Sequence, residues 1–335
     1  DHIEFDAEDL LAPVVEQARS QYRQLVGKVQ AKYVQHLESS GWPPAGRLAN
    51  TDVFDRLVAP ELQEAGRRVA YIQVDALRYE LGVALHQQLA EDDPFEIQAA
   101  YAPLPSITRV GMAGLLPGAG QALRLQKKDD GYAVMLGDAK TETVPERMKV
   151  FALKYGDRFA EMSLKDFVRS KKGVPKAVDL LVLRSVDIDS VLENNPEMTL
   201  KLVHEALKLI RVGVNKLRKQ GFEQVVIATD HGFFLNAQAE SGDVCQKPSG
   251  TWVLEHERCL FGDGTEDANN FVMSAQKAGS RGDFDQFGGP RSMAPYRKSM
   301  LYFHGGASLQ EAVVPVLTAK LKADEQPIVE TANVT

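Results

Sequence analysis

Short apolar segments of strand length alternate with longer segments of helical periodicity along most of this chain. The strand-like segments are Arg68–Val74, Phe95–Ala102, Val178–Arg184 and Gln224–Ala228. Between the third and the fourth, apolar residues recur every three or four positions from Leu200 to Leu217, which predicts a long crossover helix. Such alternation is typical of an α/β fold with a mostly parallel sheet and helices on both faces. We therefore predict that fold class.

The regions outside this alternation predict the domain organisation. Apolar residues three or four positions apart predict an N-terminal helix with one buried seam. The residues of this seam are Leu11, Val15, Ala18, Tyr22, Leu25 and Val29. Gly41–Gly46 ends it, so we predict a helical segment and linker (1–46), a main domain (47–323) and a tail (324–335). Residues 121–176 and 242–298 fit the alternation poorly and are predicted to be cap insertions. Ser299–His304 is predicted to be a fifth strand, and the capping-box spacing of Ser308 and Glu311 a closing helix.

Composition excludes several classes of protein. Of the 335 residues 44% are hydrophobic, yet no apolar run approaches the roughly 18 residues of a membrane span. Only two cysteines occur, which argues against a disulfide framework or a cysteine zinc site and fits a reducing cytoplasm. No secretory signal is evident, and the start at Asp1 without Met suggests a piece of something longer. The net charge of −7 argues against a surface built to grip a phosphate backbone.

Polar residues follow each apolar segment where the predicted strand ends. They are Asp75, Pro105–Thr108, Ser185–Asp189, Thr229–Gly232 and His304–Gly306. A single aspartate after a strand is usually a turn former or a helix cap, but five such positions together are harder to explain that way. Because the carboxyl ends of parallel strands meet at one edge of a sheet, these side chains should lie close together. Carboxylates and imidazoles suit Zn²⁺ or Mn²⁺, so the sequence predicts a site for one or two such ions.

A hydroxyl residue beside a metal site indicates covalent phosphoryl transfer. A bound cation lowers the pKa of the hydroxyl and neutralises charge on the phosphoryl oxygens. Thr108 is the favoured nucleophile because Arg109–Leu116 is predicted to be a helix whose first amides would face a phosphate. A plain N-cap role for Thr108 stays open, and Ser106 competes for the role of nucleophile.

Four ordered segments resemble a known family. Leu104–Gly118 (LPSITRVGMAGLLPG) resembles the nucleophile segment of the alkaline phosphatase superfamily. Three further segments are similar to the PglZ branch, found in bacterial phage-defence systems of the BREX type and in some response regulators; they are VDALRYE (Val74–Glu80), ATDHGFF (Ala228–Phe234) and YFHGGASLQEAVVPVL (Tyr302–Leu317). The resemblance spans residues 68–317 and implies an alkaline phosphatase-like fold.

The resemblance also implies roles for individual residues. One metal ion would be held by Asp75, Asp230 and His231, with Thr108 as the nucleophile at the same ion and Arg109 as a candidate for substrate binding. The second ion would take His304 and an acid from the loop after the third strand. We favour Asp187 over Asp189 for that acid, because Asp187 comes first after the strand.

One position departs from the superfamily pattern. Four residues after Asp187, where a histidine ligand is expected, this chain has Val191. The second site is therefore weakened, completed by a substitute ligand, or absent. His256 in the second cap could reach the mouth of the site, whereas His204 lies beside the apolar seam of the crossover helix. We assign no role to His2, His36 or His86.

The resemblance implies metal-dependent hydrolysis of a phosphate ester in a bacterial anti-phage defence system. The enzyme would be a phosphodiesterase, with a nuclease as one option. Its partners would be a phosphodiester, nucleic acid among the options, and other defence-system proteins, with no membrane. Basic cap residues could contact nucleic acid, although such residues usually form a solvated face; they are Lys127, Lys128, Arg169, Lys171, Lys172, Arg281, Arg291, Arg297 and Lys298. The alternative is a degenerate domain that acts as a docking or regulatory module.

Overall fold

A mostly parallel sheet of six strands organises the fold, as the alternation predicts. The computed structural model of the chain describes residues 8–129, 131–194, 199–235, 244–298 and 301–322. Within these ranges the helices are α1 (Glu8–Ser40), α2 (Tyr79–Leu89), α3 (Thr108–Gly114), α4 (Ala119–Ala122), α5 (Val144–Tyr155), α6 (Leu164–Arg169), α7 (Asp187–Asn194), α8 (Thr199–Lys219) and α9 (Leu309–Ala312).

The strands of the same ranges form one large sheet and three small ones. They are β1 (Val69–Val74), β2 (Glu96–Tyr101), β3 (Leu123–Lys128), β4 (Gly131–Leu136), β5 (Ala139–Lys140), β6 (Phe159–Ser163), β7 (Leu180–Ser185), β8 (Gln224–Thr229), β9 (Phe234–Leu235), β10 (Gly250–Glu255), β11 (Leu260–Gly264), β12 (Asn270–Ser274), β13 (Gln286–Pro290), β14 (Tyr302–Phe303) and β15 (Val313–Lys320).

The central sheet has the order β2-β15-β8-β1-β7-β6. Strand β1 pairs in parallel with both β7 and β8, and β15 runs antiparallel to β8 and β2. Alternate residues of β1 enter the two hydrophobic cores, Tyr71 on one face and Ile72 on the other. Helices α3 and α5 pack in the first core, and α2, α6 and α8 in the second. The predicted fold class, with helices on both faces of a mostly parallel sheet, is confirmed.

The segment after residue 300 differs from the prediction. Its short strand β14 pairs with β9 in a separate two-stranded sheet and not with the central strands; Ser299 lies outside the described residues. The predicted closing helix is a single turn, α9, in which the Ser308 hydroxyl accepts the Glu311 N–H (3.3 Å). The β-branched residues that follow favour strand, so the chain continues as β15 and enters the middle of the sheet.

The two predicted caps also differ from each other. Part of 121–176 belongs to the central sheet, because β6 pairs in parallel with β7 as an edge strand. This strand has only five residues, four of them half-buried around the exposed Glu161, so its sequence lacks a clear apolar signal. Residues 250–290 do form a separate sheet, of order β10-β11-β13-β12. The limits 1–46, 47–323 and 324–335 stay predictions, and the tail lies outside the described residues.

Helix α1 buries side chains against the domain in its C-terminal part, and further toward its start the Tyr22 hydroxyl accepts from Arg78 Nη2 (3.4 Å). Of the predicted buried seam, Leu11, Tyr22 and Leu25 are 39%, 38% and 59% exposed, and that part of the prediction is wrong. The buried positions start later and are Val26, Gln30, Tyr33, Val34 and Leu37. Although α1 has 33 residues, neither it nor any other helix in the described ranges is apolar enough to cross a membrane.

Candidate metal centre

Two neighbouring strands bring three of the predicted ligands together. Asp75 follows β1, and Asp230 and His231 follow β8; the strands run in parallel with Val74 opposite Thr229. All three side chains are buried, and one ligand atom from each lies within 4.8 Å of those of the other two. Among the described residues this is the one group of three or more acidic, histidine or cysteine side chains gathered in this way.

The carboxylates of this group are oriented by the backbone. Asp230 Oδ1 accepts the N–H groups of Ala76 (3.1 Å) and His231 (2.8 Å). Its other oxygen, Oδ2, is buried and has no hydrogen-bond partner, and the same holds for Oδ1 of Asp75. Leaving such oxygens buried and unpaired costs free energy, whereas a cation between them would satisfy both. The donor set therefore fits a bound metal ion.

The imidazole of His231 has the tautomer that a metal ligand needs. Its Nδ1–H donates to the carbonyl of Gly232 (2.9 Å), because a carbonyl can only accept. In the neutral ring this leaves a lone pair on Nε2, which lies 3.2 Å from Asp230 Oδ2 and 3.8 Å from Asp75 Oδ1. A lone pair facing two carboxylate oxygens makes no hydrogen bond, but all three atoms can bind one cation.

Burial disfavours charge on all three groups when no metal is present. It raises the pKa of Asp230 to about 7, and burial together with the charge of Asp230 holds the pKa of Asp75 well above its usual range. Burial also lowers the pKa of His231. A divalent cation would reverse the effect on the two acids, because it stabilises their ionised forms.

Thr108 lies at this group and Ser106 does not. The Thr108 hydroxyl is 3.2 Å from His231 Nε2, to which it can donate. It is the first residue of α3 and makes no cap, since the N-cap position is occupied by Ile107. The Ser106 hydroxyl is buried and donates to the carbonyl of Gly306 (2.7 Å). Helix α3 lies against Asp230, because a Cβ on Gly111 would be 2.7 Å from the Asp230 Cβ.

His304 lies beside the three ligands but is not part of their group. Its ring stacks on that of His231, with centroids 4.1 Å apart and planes at 8°. Its Nδ1–H donates to the carbonyl of Ser106 (3.2 Å), which leaves Nε2 with a lone pair. Burial and the neighbouring His231 lower the pKa of His304 to about 3, so the ring is neutral.

The two acids after β7 have different partners. Asp187 forms an ion pair with Lys165 and accepts the Ser185 hydroxyl (3.1 Å). Asp189 accepts the hydroxyl of Tyr302, and its charge acts on Asp75, Asp230 and His304. The structure therefore brings Asp189, more than Asp187, toward the candidate ligands. The side chain of Val191 lies outside the described residues.

Two arginines lie near the group in different ways. Arg109 is exposed, and its guanidinium lies 5.8 Å from the ring centre of Tyr132; its role in substrate binding stays a prediction. Arg147 of α5 is buried, and it interacts electrostatically with Asp75 and Asp230. The sequence analysis missed Arg147, because one arginine in an amphipathic cap helix carries no signal of its own.

Comparison with known families decides which family the chain represents. The family described as "BREX system PglZ alkaline phosphatase-like domain" matches residues 53–319. The chain belongs to the PglZ family. The resemblance found in the four sequence segments is confirmed.

Two curated relatives support the assignment of this PglZ domain. The chain is 28% identical over 309 residues to alkaline phosphatase-like protein BrxZ of Escherichia coli O9:H4 (strain HS), covering 85% of the chain and 35% of BrxZ. It is 27% identical over 294 residues to alkaline phosphatase-like protein PglZ of Bacillus cereus (strain H3081.97), covering 83% and 34%. The chain thus spans about a third of the length of these relatives.

The PglZ domain is also similar in fold to a solved enzyme structure. It is similar to phosphonoacetate hydrolase from Sinorhizobium meliloti 1021, crystallised with phosphonoformate, at a TM-score of 0.50 and 11% identity. The match covers 79% of this chain and 92% of the hydrolase. At this level of identity the similarity concerns the fold, which is alkaline phosphatase-like.

The turn between β10 and β11 brings the second cap of the PglZ domain against His304, beside the candidate ligands. Within it the His256 N–H donates to the Cys259 carbonyl (3.0 Å). The ring centre of His256 is 5.2 Å from that of His304, and its Nδ1 is buried without a hydrogen-bond partner. Burial and the neighbouring His304 lower the pKa of His256 to about 4.

A fully buried ion pair ties this turn to the loops that carry the histidines. Arg258 Nε lies 3.1 Å from Glu311 Oε2, and both side chains are 0% exposed. Glu311 also accepts the Gly306 N–H (2.9 Å), and its backbone carbonyl accepts the Gly232 N–H (2.8 Å). One carboxylate residue thereby joins the turns that follow His304 and His231. Neither partner was singled out from the sequence, where Glu311 was assigned only a capping role.

Proposed function

We propose that this PglZ domain is a metal-dependent phosphoester hydrolase with Thr108 as its nucleophile, and that it acts on phosphodiesters, nucleic acid among them. The observation that carries the proposal is the convergence of two unpartnered carboxylate oxygens and one imidazole lone pair beside the Thr108 hydroxyl. The domain's partners would be the other proteins of a BREX defence system, and its location the cytoplasm.

Asp75, Asp230 and His231 would hold the ion, and its ligand set suits Zn²⁺ or Mn²⁺ better than Mg²⁺. The ion would lower the pKa of the Thr108 hydroxyl and neutralise charge on the phosphoryl oxygens. Thr108 Oγ1 would lose its proton to solvent and form a bond to phosphorus while the bond to the leaving group breaks, and the leaving group would take up a proton and depart as an alcohol. Water would later hydrolyse the Thr108 phosphoester and restore the hydroxyl. Backbone hydrogen bonds at Asp230 Oδ1 and His231 Nδ1 orient these two side chains, which supports the proposal.

The test is hydrolysis of a chromogenic phosphodiester, bis-p-nitrophenyl phosphate, in the presence of Mn²⁺ or Zn²⁺. We expect Thr108→Ala and Asp230→Ala each to abolish turnover, because each removes a group that no neighbour replaces. Thr251→Ala, an exposed threonine on β10, serves as the matched control and should retain full activity. Turnover at the native rate in the Thr108 or Asp230 variant would refute the proposed site.

Val191 favours a second candidate function. A chain that lacks a ligand expected from the resemblance can be a degenerate domain that docks in a larger defence complex. Metal content separates the two functions. A purified chain without bound metal, and without a thermal shift on addition of Zn²⁺ or Mn²⁺, would favour docking.

A further inference from the structure

Residues 291–297 form a loop without regular secondary structure, which follows β13 in the second cap. Two of its backbone carbonyls, those of Ser292 and Ala294, accept hydrogen bonds from Nη1 of the buried Arg258 (3.2 and 3.1 Å). Between them, Nη2 of Arg258 contacts the sulfur of Met293 (4.0 Å). Because a loop lacks the backbone ladder of a strand, this one guanidinium supplies hydrogen bonds that fix the first half of the loop.

The same guanidinium is anchored on its other side. Its Nε lies 3.1 Å from Oε2 of Glu311, and Oε1 of Glu311 accepts the Gly306 N–H (2.9 Å). Arg258 therefore joins loop 291–297 to the turn that follows His304. The planar fork of an arginine donates in two fixed directions at once, whereas the ammonium of a lysine is a single compact charge that cannot reproduce both attachments.

The second half of the loop carries a cation toward the site. The Tyr296 N–H donates to the Glu257 carbonyl (2.7 Å), so the next residue, Arg297, lies beside the turn that contains His256. The ring centre of His256 is 5.2 Å from that of His304, beside the candidate ligands. Arg297 is exposed, and its charge acts on His256. The loop therefore brings a positive charge close to the candidate metal centre.

We propose that Arg258 is a positioning residue for substrate binding, which holds loop 291–297 so that Arg297 binds the anionic phosphate of a phosphodiester. The inference rests on the proposed function, whose substrate Arg297 would bind. A guanidinium suits this task because it pairs with two phosphate oxygens through parallel hydrogen bonds. A cation on a loop that is already fixed loses less conformational freedom on binding. The affinity therefore depends on Arg258, although this side chain is itself fully buried.

The experiment measures binding of bis-p-nitrophenyl phosphate by calorimetry in the presence of Zn²⁺. All chains carry Thr108→Ala, so that the proposed nucleophile is absent. We expect Arg258→Lys and Arg297→Ala each to raise the Kd about tenfold. The double variant should also raise the Kd only about tenfold, because Arg258 acts through Arg297. Lys277→Ala, an exposed lysine of the same cap, is the matched control and should leave the Kd unchanged.

Two further measurements separate positioning from a general loss of structure. Bound zinc per chain, counted by elemental analysis, should be the same in all variants, since the three candidate ligands stay in place. Tyr296→Phe loosens the loop without touching the buried ion pair, and it applies also where circular dichroism shows that Arg258→Lys does not fold. It removes the hydrogen bond from the Tyr296 hydroxyl to Asn270 Oδ1 (2.8 Å), so we expect the Kd to rise a few-fold.

Each other outcome has a distinct meaning. An unchanged Kd in Arg258→Lys, or in Tyr296→Phe where the lysine variant does not fold, would overturn the inference, as would absence of binding before any change in the loop. A rise of about a hundredfold in the double variant would mean independent effects and would also overturn it. Loss of zinc together with affinity would give Arg258 a purely structural role. The expected Kd values without turnover by the native chain would refute the proposed hydrolysis and leave the role of Arg258 standing.

Discussion

The two carboxylate oxygens of Asp230 have different tasks. Oδ1 accepts two backbone N–H groups and holds the turn after β8, whereas Oδ2 has no partner in the chain. His231 and His304 show the same division, because Nδ1–H of each ring donates to a backbone carbonyl and Nε2 keeps its lone pair. The backbone therefore orients these side chains before any ion arrives, which reduces the entropy lost on binding.

The raised pKa of Asp230 predicts how metal-free stability depends on pH. The pKa of Asp230 is about 7 in the folded chain and about 4 in the unfolded chain, so the folded state holds the proton more tightly. The stability that this gives is fully present below pH 4 and is lost as the pH rises through about 7. Asp230→Asn keeps the Oδ1 bonds and lets Nδ2 donate to His231 Nε2. We expect this variant to melt roughly 2–4 °C higher than the native chain at pH 7.5 without metal.

Thermal unfolding between pH 4.5 and 7.5 in a chelator measures this effect, with the fully exposed Asp138→Asn as the control. Zinc should raise the melting temperature of the native chain more than that of Asp230→Asn, because the variant lacks one of the three candidate ligands. A metal-free Asp230→Asn variant that melts below the native chain at pH 7.5 would contradict the account of burial.

The close contact between Gly111 and Asp230 predicts how much free energy of unfolding is lost when α3 has to shift. An alanine Cβ there would lie 2.7 Å from both the Cβ and the carbonyl oxygen of Asp230, so the helix that carries Thr108 must shift. We expect Gly111→Ala to lower the free energy of unfolding by about 1–3 kcal/mol and to reduce turnover. In the control Gly27→Ala, on α1 with open space around it, stability should rise by up to about 1 kcal/mol. Denaturant unfolding compares the two, and equal effects would contradict the close packing.

At the scale of elements, the Arg258–Glu311 pair joins the β10–β11 turn to α9. Breaking a fully buried ion pair leaves an uncompensated charge, so we expect Arg258→Met to cost about 3–5 kcal/mol in denaturant unfolding. Lys247→Met removes a pair with Glu255 that is about half exposed in the same cap, and should cost less than about 1 kcal/mol. Similar costs in both variants would show that the buried pair does not hold the cap.

The elements that could be predicted from sequence are those with a strong period. The predicted crossover helix over Leu200–Leu217 is α8 (Thr199–Lys219), and β1 and β8 match the predicted strands within one residue. The edge strand β6 was missed because its half-buried residues alternate poorly, and β15 because a capping signal preceded it. Asp75, Asp230 and His231 could be placed because strand order brings them together, whereas His256 and Arg147 arrive through cap packing that local sequence does not encode.

At the scale of the whole molecule, charge is distributed unevenly. Several acids behind the net charge of −7 are the candidate ligands, and one or two divalent ions would bring it to −5 or −3. Among the basic cap residues, Arg291 pairs with Glu38 and Glu266. Lys171 and Lys172 precede a segment that contacts Arg68 at the start of β1, away from the strand ends of the site. Exposed Arg297 instead acts electrostatically on His256.

This distribution of charge predicts which basic side chains attract an anionic substrate. We expect Arg297→Ala to raise the KM for an anionic phosphodiester about tenfold, as loss of roughly 1.4 kcal/mol would, because its charge lies near the site. Lys171→Ala with Lys172→Ala should leave KM unchanged. Steady-state kinetics at low and moderate salt check this, and an equal effect of both variants would mean that general surface charge attracts the substrate.

The place of β15 has a consequence for how the chain is made. Because it lies between β2 and β8, the central sheet stays divided until residues 313–320 have left the ribosome. His304 and Glu311 emerge at the same late stage, only a few residues before that strand. During synthesis the acids after β1 and β8 therefore leave the ribosome well before β15, and the candidate metal centre is enclosed only when residues 304–320 are available.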